Sequence, residues 1–335
     1  MRWRIGIDTG SYYVKIVEGL ERNGRLLIRS IGYFPVPFPE FIENLNEREQ
    51  DVFVKGLKDF LREHKVTTKR GILSIGGSGV IIHYFNIPEL PEKEINSAVQ
   101  LEMMQVVPGG IKNLEYDYTM LPGKNNRKTV LFVGYPKEKC EFLISTMQMA
   151  GIKPLIMDHS GLAVLNSFKF LHKKVEETIF ILNVGYKTSN LVLTENDGFV
   201  LVRDIPFGSK NITDTVASNR KISSEEAEIY GKKEENKNEV KKIISEDISE
   251  LLVEVRASME YFKNRTGKLP QKLFLTGGGS LFPGLCDTFE KEVNINANVW
   301  NPLEEIDTES PIPVDLKNKG VLFAVSLGLV LREIK

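Results

Sequence analysis

Near its start the chain alternates short apolar runs with polar turns. Ile5-Gly6-Ile7 ends at Asp8-Thr9-Gly10-Ser11, and Val14-Lys15-Ile16-Val17 follows as a second apolar run. The same order returns far downstream, where Phe180-Ile181-Leu182 ends at Asn183-Val184-Gly185-Tyr186-Lys187-Thr188 and Asn190 to Leu193 follows. Asp8 and Lys15 are seven positions apart, as are Asn183 and Asn190. Each copy predicts a β-hairpin turned at a glycine, which supplies the backbone freedom a tight turn demands. A hairpin repeated at this separation predicts two related halves.

Between the copies, strands and helices alternate. Gly71 to Ile75, Val80 to Phe85 and Thr129 to Tyr135 read as strands. Glu92 to Val107 has helical spacing, with Ile95, Val99, Met103 and Val106 on one face after Pro88 and Pro91. Lys137 to Ala150 reads as a helix closed by Gly151. This predicts a small α/β unit inserted between Arg70 and Asp158. Asn219 to Glu250 is dense in Lys and Glu and reads as a pair of solvated helices. Ile248, Leu251, Leu252, Val255, Met259 and Phe262 then form one apolar helical stripe, expected to pack in the core. The fold class is α/β.

Composition narrows the function. With 335 residues and 41% hydrophobic content the chain suggests about two domains, each with its own core. Forty-four Lys and Arg against 45 Asp and Glu exclude the basic field that nucleic acid requires. Cys140 and Cys286 make neither a metal spacing nor a disulfide framework, which suits a reducing compartment. Met1-Arg2-Trp3-Arg4 carries no secretory signal. The longest apolar run, Gly320 to Leu331, is broken by Ser326 and Gly328 and is far shorter than the roughly 20 residues of a membrane span. A cytoplasmic protein is expected, reaching a membrane only through a partner.

Three turns carry candidate chemistry. Asp8-Thr9-Gly10-Ser11 offers backbone N–H groups and a hydroxyl to an anion, and Asp8 could hold the water shell of Mg2+. One such turn alone reads more simply as an ordinary β-turn; two facing each other across a cleft make a clamp. In the second turn the corresponding position is Asn183, whose amide brings no charge and cannot act as a base. The third is Leu273 to Thr276 running into Gly277-Gly278-Gly279, where the backbone can approach a flat ligand such as a nucleoside.

In this order the three blocks resemble the phosphate-1, phosphate-2 and adenosine motifs of the actin, Hsp70 and sugar-kinase superfamily. Arg203-Asp204-Ile205-Pro206-Phe207-Gly208 resembles the segment after phosphate-2 in FtsA-like proteins. Arg256 to Phe262, Ala324 to Arg332, and Ile87-Pro88-Glu89-Leu90-Pro91-Glu92 are similar to the PilM family of type IV pilus assembly. The likeness spans essentially the whole chain. It implies an actin-like ATPase (duplicated ribonuclease H-like) fold of two lobes, with an FtsA/PilM-type insert. Subdomain 1A would take residues 1–69, 151–175 and a terminal helix over 319–332; the insert 1C, 70–150; and lobe two 176–318, with 2B at about 208–265.

The resemblance further implies ATP and Mg2+ in the cleft. Nucleotide contacts would fall on Asp8, Thr9, Gly10, Ser11, Lys15, Asn183, Gly185, Thr188, Gly277, Gly278 and Gly279, with Glu254 reaching the ribose. It also implies that the cytoplasmic N-terminal tail of PilN lies in a groove beside the insert, with Ile81, Tyr84, Val99, Met103 and Val106 as candidate walls. Pilus motor ATPases, and further copies in a ring, are partners it admits. Three positions depart from the family pattern: Asn183 replaces an Asp, Ser160 stands where relatives place Glu, and Gly231 replaces a nucleotide-side Lys, although Lys232 follows. Nucleotide binding with slow or absent hydrolysis is therefore expected. A sugar or small-acid kinase and an FtsA-type division filament are the alternatives on this fold. The kinase lacks its carboxylate at Asn183 and Ser160. The filament protein would continue into an amphipathic anchor, whereas Arg332-Glu333-Ile334-Lys335 follows the apolar run directly.

Overall fold

The computed structural model describes residues 2–38, 40–77, 79–123, 127–173, 178–195, 198–306 and 312–333. Along the chain the first elements are β1 (Arg4–Thr9), β2 (Tyr13–Arg22), β3 (Arg25–Pro35), α1 (Glu47–Glu63), β4 (Arg70–Ile75), β5 (Ile81–Pro88) and α2 (Glu92–Val106). Next come β6 (Leu114–Leu121), β7 (Arg127–Pro136), α3 (Lys137–Met149), β8 (Lys153–His159), α4 (Ser160–Leu171), β9 (Ile179–Val184), β10 (Ser189–Thr194) and β11 (Val200–Ile205). The remainder is α5 (Ser209–Arg220), α6 (Ser224–Gly231), α7 (Lys237–Asp247), α8 (Ser249–Thr266), β12 (Lys272–Thr276), α9 (Leu285–Val293), β13 (Asn296–Val299), α10 (Val314–Asn318) and α11 (Ala324–Leu331).

The internal repeat is a repeat of sheet topology. One five-stranded sheet runs β3-β2-β1-β4-β8 and the other β11-β10-β9-β12-β13. In each, three antiparallel strands are followed by two parallel ones. The seven-residue spacing is the hairpin register itself, for Asp8 pairs across from Lys15 and Asn183 from Asn190. The β9 and β10 strands are buried along their whole length, as strands covered on both faces must be.

Helices α4 and α11 lie between the two sheets. Ile72, Phe168 and Leu329 share one core with Ile181, Val192 and Val202 from the second sheet. The approach is close: a Cβ on Gly328 would lie 1.7 Å from the Ala163 carbonyl oxygen, and Ser167 Oγ donates to the Ala324 carbonyl at 2.8 Å. The terminal apolar run is therefore a buried helix, preceded by a short 3-10 turn at Gly320–Phe323.

A separate three-stranded sheet, β5-β7-β6, packs against α2 through Phe85, Val99, Met103, Val130 and Phe132. It is smaller than the predicted 70–150 unit. Strand β4 pairs in parallel with β1, and α3 buries Cys140, Leu143 and Met147 against Phe53 and Leu57 of α1, so both belong with the first sheet. The charge-dense segment also differs from a pair of merely solvated helices. Val240, Ile243 and Ile244 of α7 and Ala227 of α6 are buried beside Leu251, Val255 and Phe262 of α8. Most of their Lys and Glu lie on the outer faces, and Glu228 is buried. The expected boundary at 175/176 falls outside the described residues.

Candidate functional site

The two hairpin turns face each other across a cleft between the halves, about 920 Å³ with the adjoining open solvent included. Thr9, Gly10 and Ser11 line one wall, Gly185 and Thr188 the opposite one, and Gly277 and Gly278 the inner end. The turn tips meet through Tyr12 and Tyr186, whose ring centroids are 4.5 Å apart. Burial and the nearby Glu228 push the Tyr186 hydroxyl up to about 12.

Local chemistry holds each wall in place. In the first turn Asp8 Oδ2 pairs with Lys15 Nζ at 2.6 Å, Ser74 Oγ donates to Asp8 Oδ1 at 3.2 Å, and the Thr9 N–H donates to Ser74 Oγ at 2.9 Å. A Cβ on Gly10 would sit 2.4 Å from that ammonium, so glycine is what lets Lys15 cross the turn. In the second, the Gly185 N–H donates to the Thr188 carbonyl at 3.1 Å, and the Ser209 N–H to the Gly185 carbonyl at 2.9 Å. This seats the α5 N-terminus, through Ser209, at the cleft wall, where a helix favours anions.

Asn183 also lines the cleft and begins a buried chain of hydrogen bonds. Its Nδ2 donates to Asn190 Oδ1 at 2.7 Å, and Asn190 Nδ2 donates to Asp204 Oδ1 at 2.7 Å. From the first half, His159 Nε2 meets the same Asp204 oxygen at 2.9 Å, and the Gly77 N–H donates to its other oxygen at 2.8 Å. Burial works against the charge on Asp204, but these donors hold its carboxyl below the usual range. Burial likewise opposes the His159 imidazolium, and the Asp204 charge and hydrogen bond raise its pKa nonetheless.

Most expected nucleotide contacts therefore share one cleft. Gly279 sits just behind it, where a Cβ would lie 2.3 Å from Val184 Cγ1. Glu254 is elsewhere: it projects from the exposed face of α8, 3.8 Å from Arg203. Glu254 is thus not among the residues that the cleft brings together, since position 254 points away from the apolar stripe that holds α8 in the core.

Several lining residues escaped the sequence reading. Glu43, Lys187 and Glu228 line the cleft, as does Lys232, which pairs with Glu228 at 2.5 Å. Lys187 lies inside the second motif as an apparent spacer, and Glu228 inside the charge-dense segment, so neither position had a distinguishing signal. Every lining carboxylate is engaged: Asp8 by Lys15, Glu228 by Lys232 and Thr213, and Glu43 by the Tyr135 hydroxyl at 2.6 Å. Among the described residues no group of His, Cys, Asp and Glu could hold a metal ion by itself. That donor set fits only a hard cation carried mostly by water and a ligand's oxygens, with Asp8 one of the carboxylates that line the cleft.

The expected docking walls separate. Val99 and Met103 are fully buried against the three-stranded sheet, and Tyr84 accepts a hydrogen bond from the Val202 N–H at 2.7 Å and packs near Phe199. Those three residues hold the molecule together and present little surface. Ile81 is partly buried, and Val106, on the last turn of α2, stays 42% exposed.

The family model for the type IV pilus assembly protein PilM matches residues 6–334. The chain belongs to the PilM family. Among solved structures it is similar to a PilM-PilN type IV pilus biogenesis complex, at 23% identity and a TM-score of 0.84 over 98% of this chain and 97% of that one. It is also similar to the ethanolamine utilization protein EutJ from Carboxydothermus hydrogenoformans, at 14% identity and a TM-score of 0.58 over 99% of this chain and 90% of that one. MreB5 of Spiroplasma citri bound to ADP matches at 12% identity and a TM-score of 0.52 over 98% and 95% of the two chains. The fold is the actin-like ATPase fold. Among the described residues no helix is long and apolar enough to cross a membrane.

Proposed function

We propose that this PilM-family chain is a nucleotide-binding scaffold that holds ATP with Mg2+ between its halves and docks the N-terminal tail of PilN. The observation that carries the reading is the pair of glycine-turned hairpins converging on one cleft, with Gly277 and Gly278 at its inner end. Gly10, Ser11 and Thr188 would offer N–H groups and hydroxyls to the phosphates, Gly185 would hold the second turn in shape through its bond to the Thr188 carbonyl, and Lys15 and Lys232 would bring positive charge. The glycines of the third turn would receive the nucleoside. Mg2+, when bound, would screen the phosphate charge, with Asp8 facing its water shell. In the same proposal the three-stranded unit is the insert 1C, the first sheet with α11 is 1A, the second sheet 2A, and α5 to α8 form 2B.

Hydrolysis is expected to be slow or absent, because no lining carboxylate is free to take a proton from water and Asn183 cannot. This also disfavours a kinase. Titration calorimetry with ATP and Mg2+ tests the binding. At roughly a hundredfold above the dissociation constant, ligand adds about 2.7 kcal/mol of apparent stability. No heat and no thermal shift at saturation would remove the nucleotide from this account, and phosphate release at the rate of a vigorous ATPase would remove the scaffold half.

The PilN tail is proposed to lie beside the three-stranded sheet, whose outer strands β5 and β6 each keep one edge unpaired by the other described strands. A tail that inserted two leucine-sized side chains would gain roughly 3–6 kcal/mol, short of the roughly 8 kcal/mol of a micromolar complex, so main-chain pairing would have to add the rest. Val106→Glu should abolish pull-down by a synthetic PilN tail with the melting temperature unchanged, whereas Val99→Glu should lower that temperature. Retained pull-down by Val106→Glu would move the groove elsewhere.

A further inference from the structure

Three lysines line the cleft, and each already has a carboxylate partner. Lys15 pairs with Asp8 at 2.6 Å, Lys232 with Glu228 at 2.5 Å, and Lys187 with Glu40 at 2.6 Å. An entering oligophosphate must take at least one of them from its partner, and the partners differ in how firmly they hold. The side chains of Asp8 and Glu228 are each 8% exposed, and further hydrogen bonds from Ser74 and Thr213 fix them. Glu40 also accepts a hydrogen bond, from the Phe41 N–H at 2.8 Å, but it is 41% exposed, on the segment following β3, so water can replace the lysine there. Exposed pairs are weak, whereas stripping the partner from a buried carboxylate is costly.

Lys187 is also the cation placed to make the exchange. It sits between Gly185 and Thr188 in the turn whose backbone faces the cleft, and its ammonium lies 5.7 Å from the centre of the Phe41 ring. Glu40 belongs to the first half of the molecule and Lys187 to the second, so the pair ties the halves together beside the cleft that Phe41 and Lys187 line. Resting on the nucleotide reading above, we infer that Lys187 is the cleft's exchangeable cation. It clasps Glu40 when no anion is present and turns to the phosphates of a bound di- or triphosphate, releasing the clasp.

The test is calorimetric titration of the full chain with Mg2+ and ATP, comparing wild type, Glu40→Gln, Lys187→Gln and the double variant. Glu40→Gln removes the competitor and should tighten binding about two- to fivefold. Lys187→Gln should weaken it roughly tenfold, as for loss of a charge-assisted contact. The double variant should match Lys187→Gln alone, because a competitor matters only while the contested lysine is present. Both side chains are partly exposed, and unchanged melting temperatures without ligand would exclude misfolding. Wild-type binding with no effect of Glu40→Gln, or with the same tightening in the Lys187→Gln background, would overturn the exchange and leave the nucleotide reading standing. Failure of wild type to bind at all would sink both.

Discussion

At φ +83° Gly277 turns the end of β12 toward the cleft, and a Cβ there would lie 2.4 Å from Asn183 Oδ1 and 2.6 Å from the Val184 carbonyl oxygen. Backbone strain and the clash act together, so Gly277→Ala should cost about 1–3 kcal/mol or more, read as a lowered denaturant midpoint. Asn183 is a sharper case. Its amide donates into the chain that ends on Asp204, and Asn190 Oδ1 can only accept. Asn183→Asp would restore the carboxylate the family pattern leads one to expect, and would set it against that acceptor, with Asp204 competing for the same Asn190 amide. The variant should lose about 1–3 kcal/mol of stability, measured by chemical denaturation without ligand. An unchanged midpoint would mean that the Asn190 side chain is free to turn over. At this scale the sequence showed which residue types converge, because Gly and Asp in a turn announce themselves. It did not show their partners: His159 and Asp204 are 45 residues apart and meet only through folding.

Elements were legible where periodicity and register were local. Both hairpins could be read because the seven-residue spacing lies within one turn and its two strands. The extent of the insert is not legible in the same way, because strand pairing is not local. Nothing in Arg70–Ile75 says that it will lie beside Ile5–Ile7 and not beside Ile81–Phe85. The stripe Val99, Met103, Val106 was likewise correct as a helical face, but periodicity cannot say whether such a face meets its own sheet or a partner. Contact between α4 and α11 is decided by the absence of a side chain. With the Ala163 carbonyl where a Cβ of Gly328 would stand, Gly328→Ala must push the helices apart at the centre of the molecule. A loss of about 1–3 kcal/mol or more is expected in urea melts. A shift below about 0.5 kcal/mol would show that α11 slides freely.

Across the whole molecule, the halves are joined by the shared apolar core around α4 and α11 and by a buried polar tie at Asp204. Two of the three donors to that carboxylate, His159 and the Gly77 N–H, come from the other half. Because both partners of the ion pair titrate, the tie has a pH window. Folding raises the His159 pKa above its ordinary 6.5, so this contribution is complete below that value and is lost as pH rises through the folded one. Folding lowers the Asp204 pKa below its ordinary 3.8, so its contribution is present above that value and is lost only as pH falls through the folded one. The charged pair is thus at full strength between the two. Asp158, itself 3.3 Å from Arg332, adds to the rise at His159, so it leaves the sign unchanged. Replacing His159 by Gln keeps a donor for Asp204 and removes the charge. The melting-temperature gap between wild type and His159→Gln should therefore be wide near pH 5 and narrow as the pH is raised to about 9. A gap constant across that range would mean that the imidazole stays neutral and that a plain hydrogen bond joins the halves there.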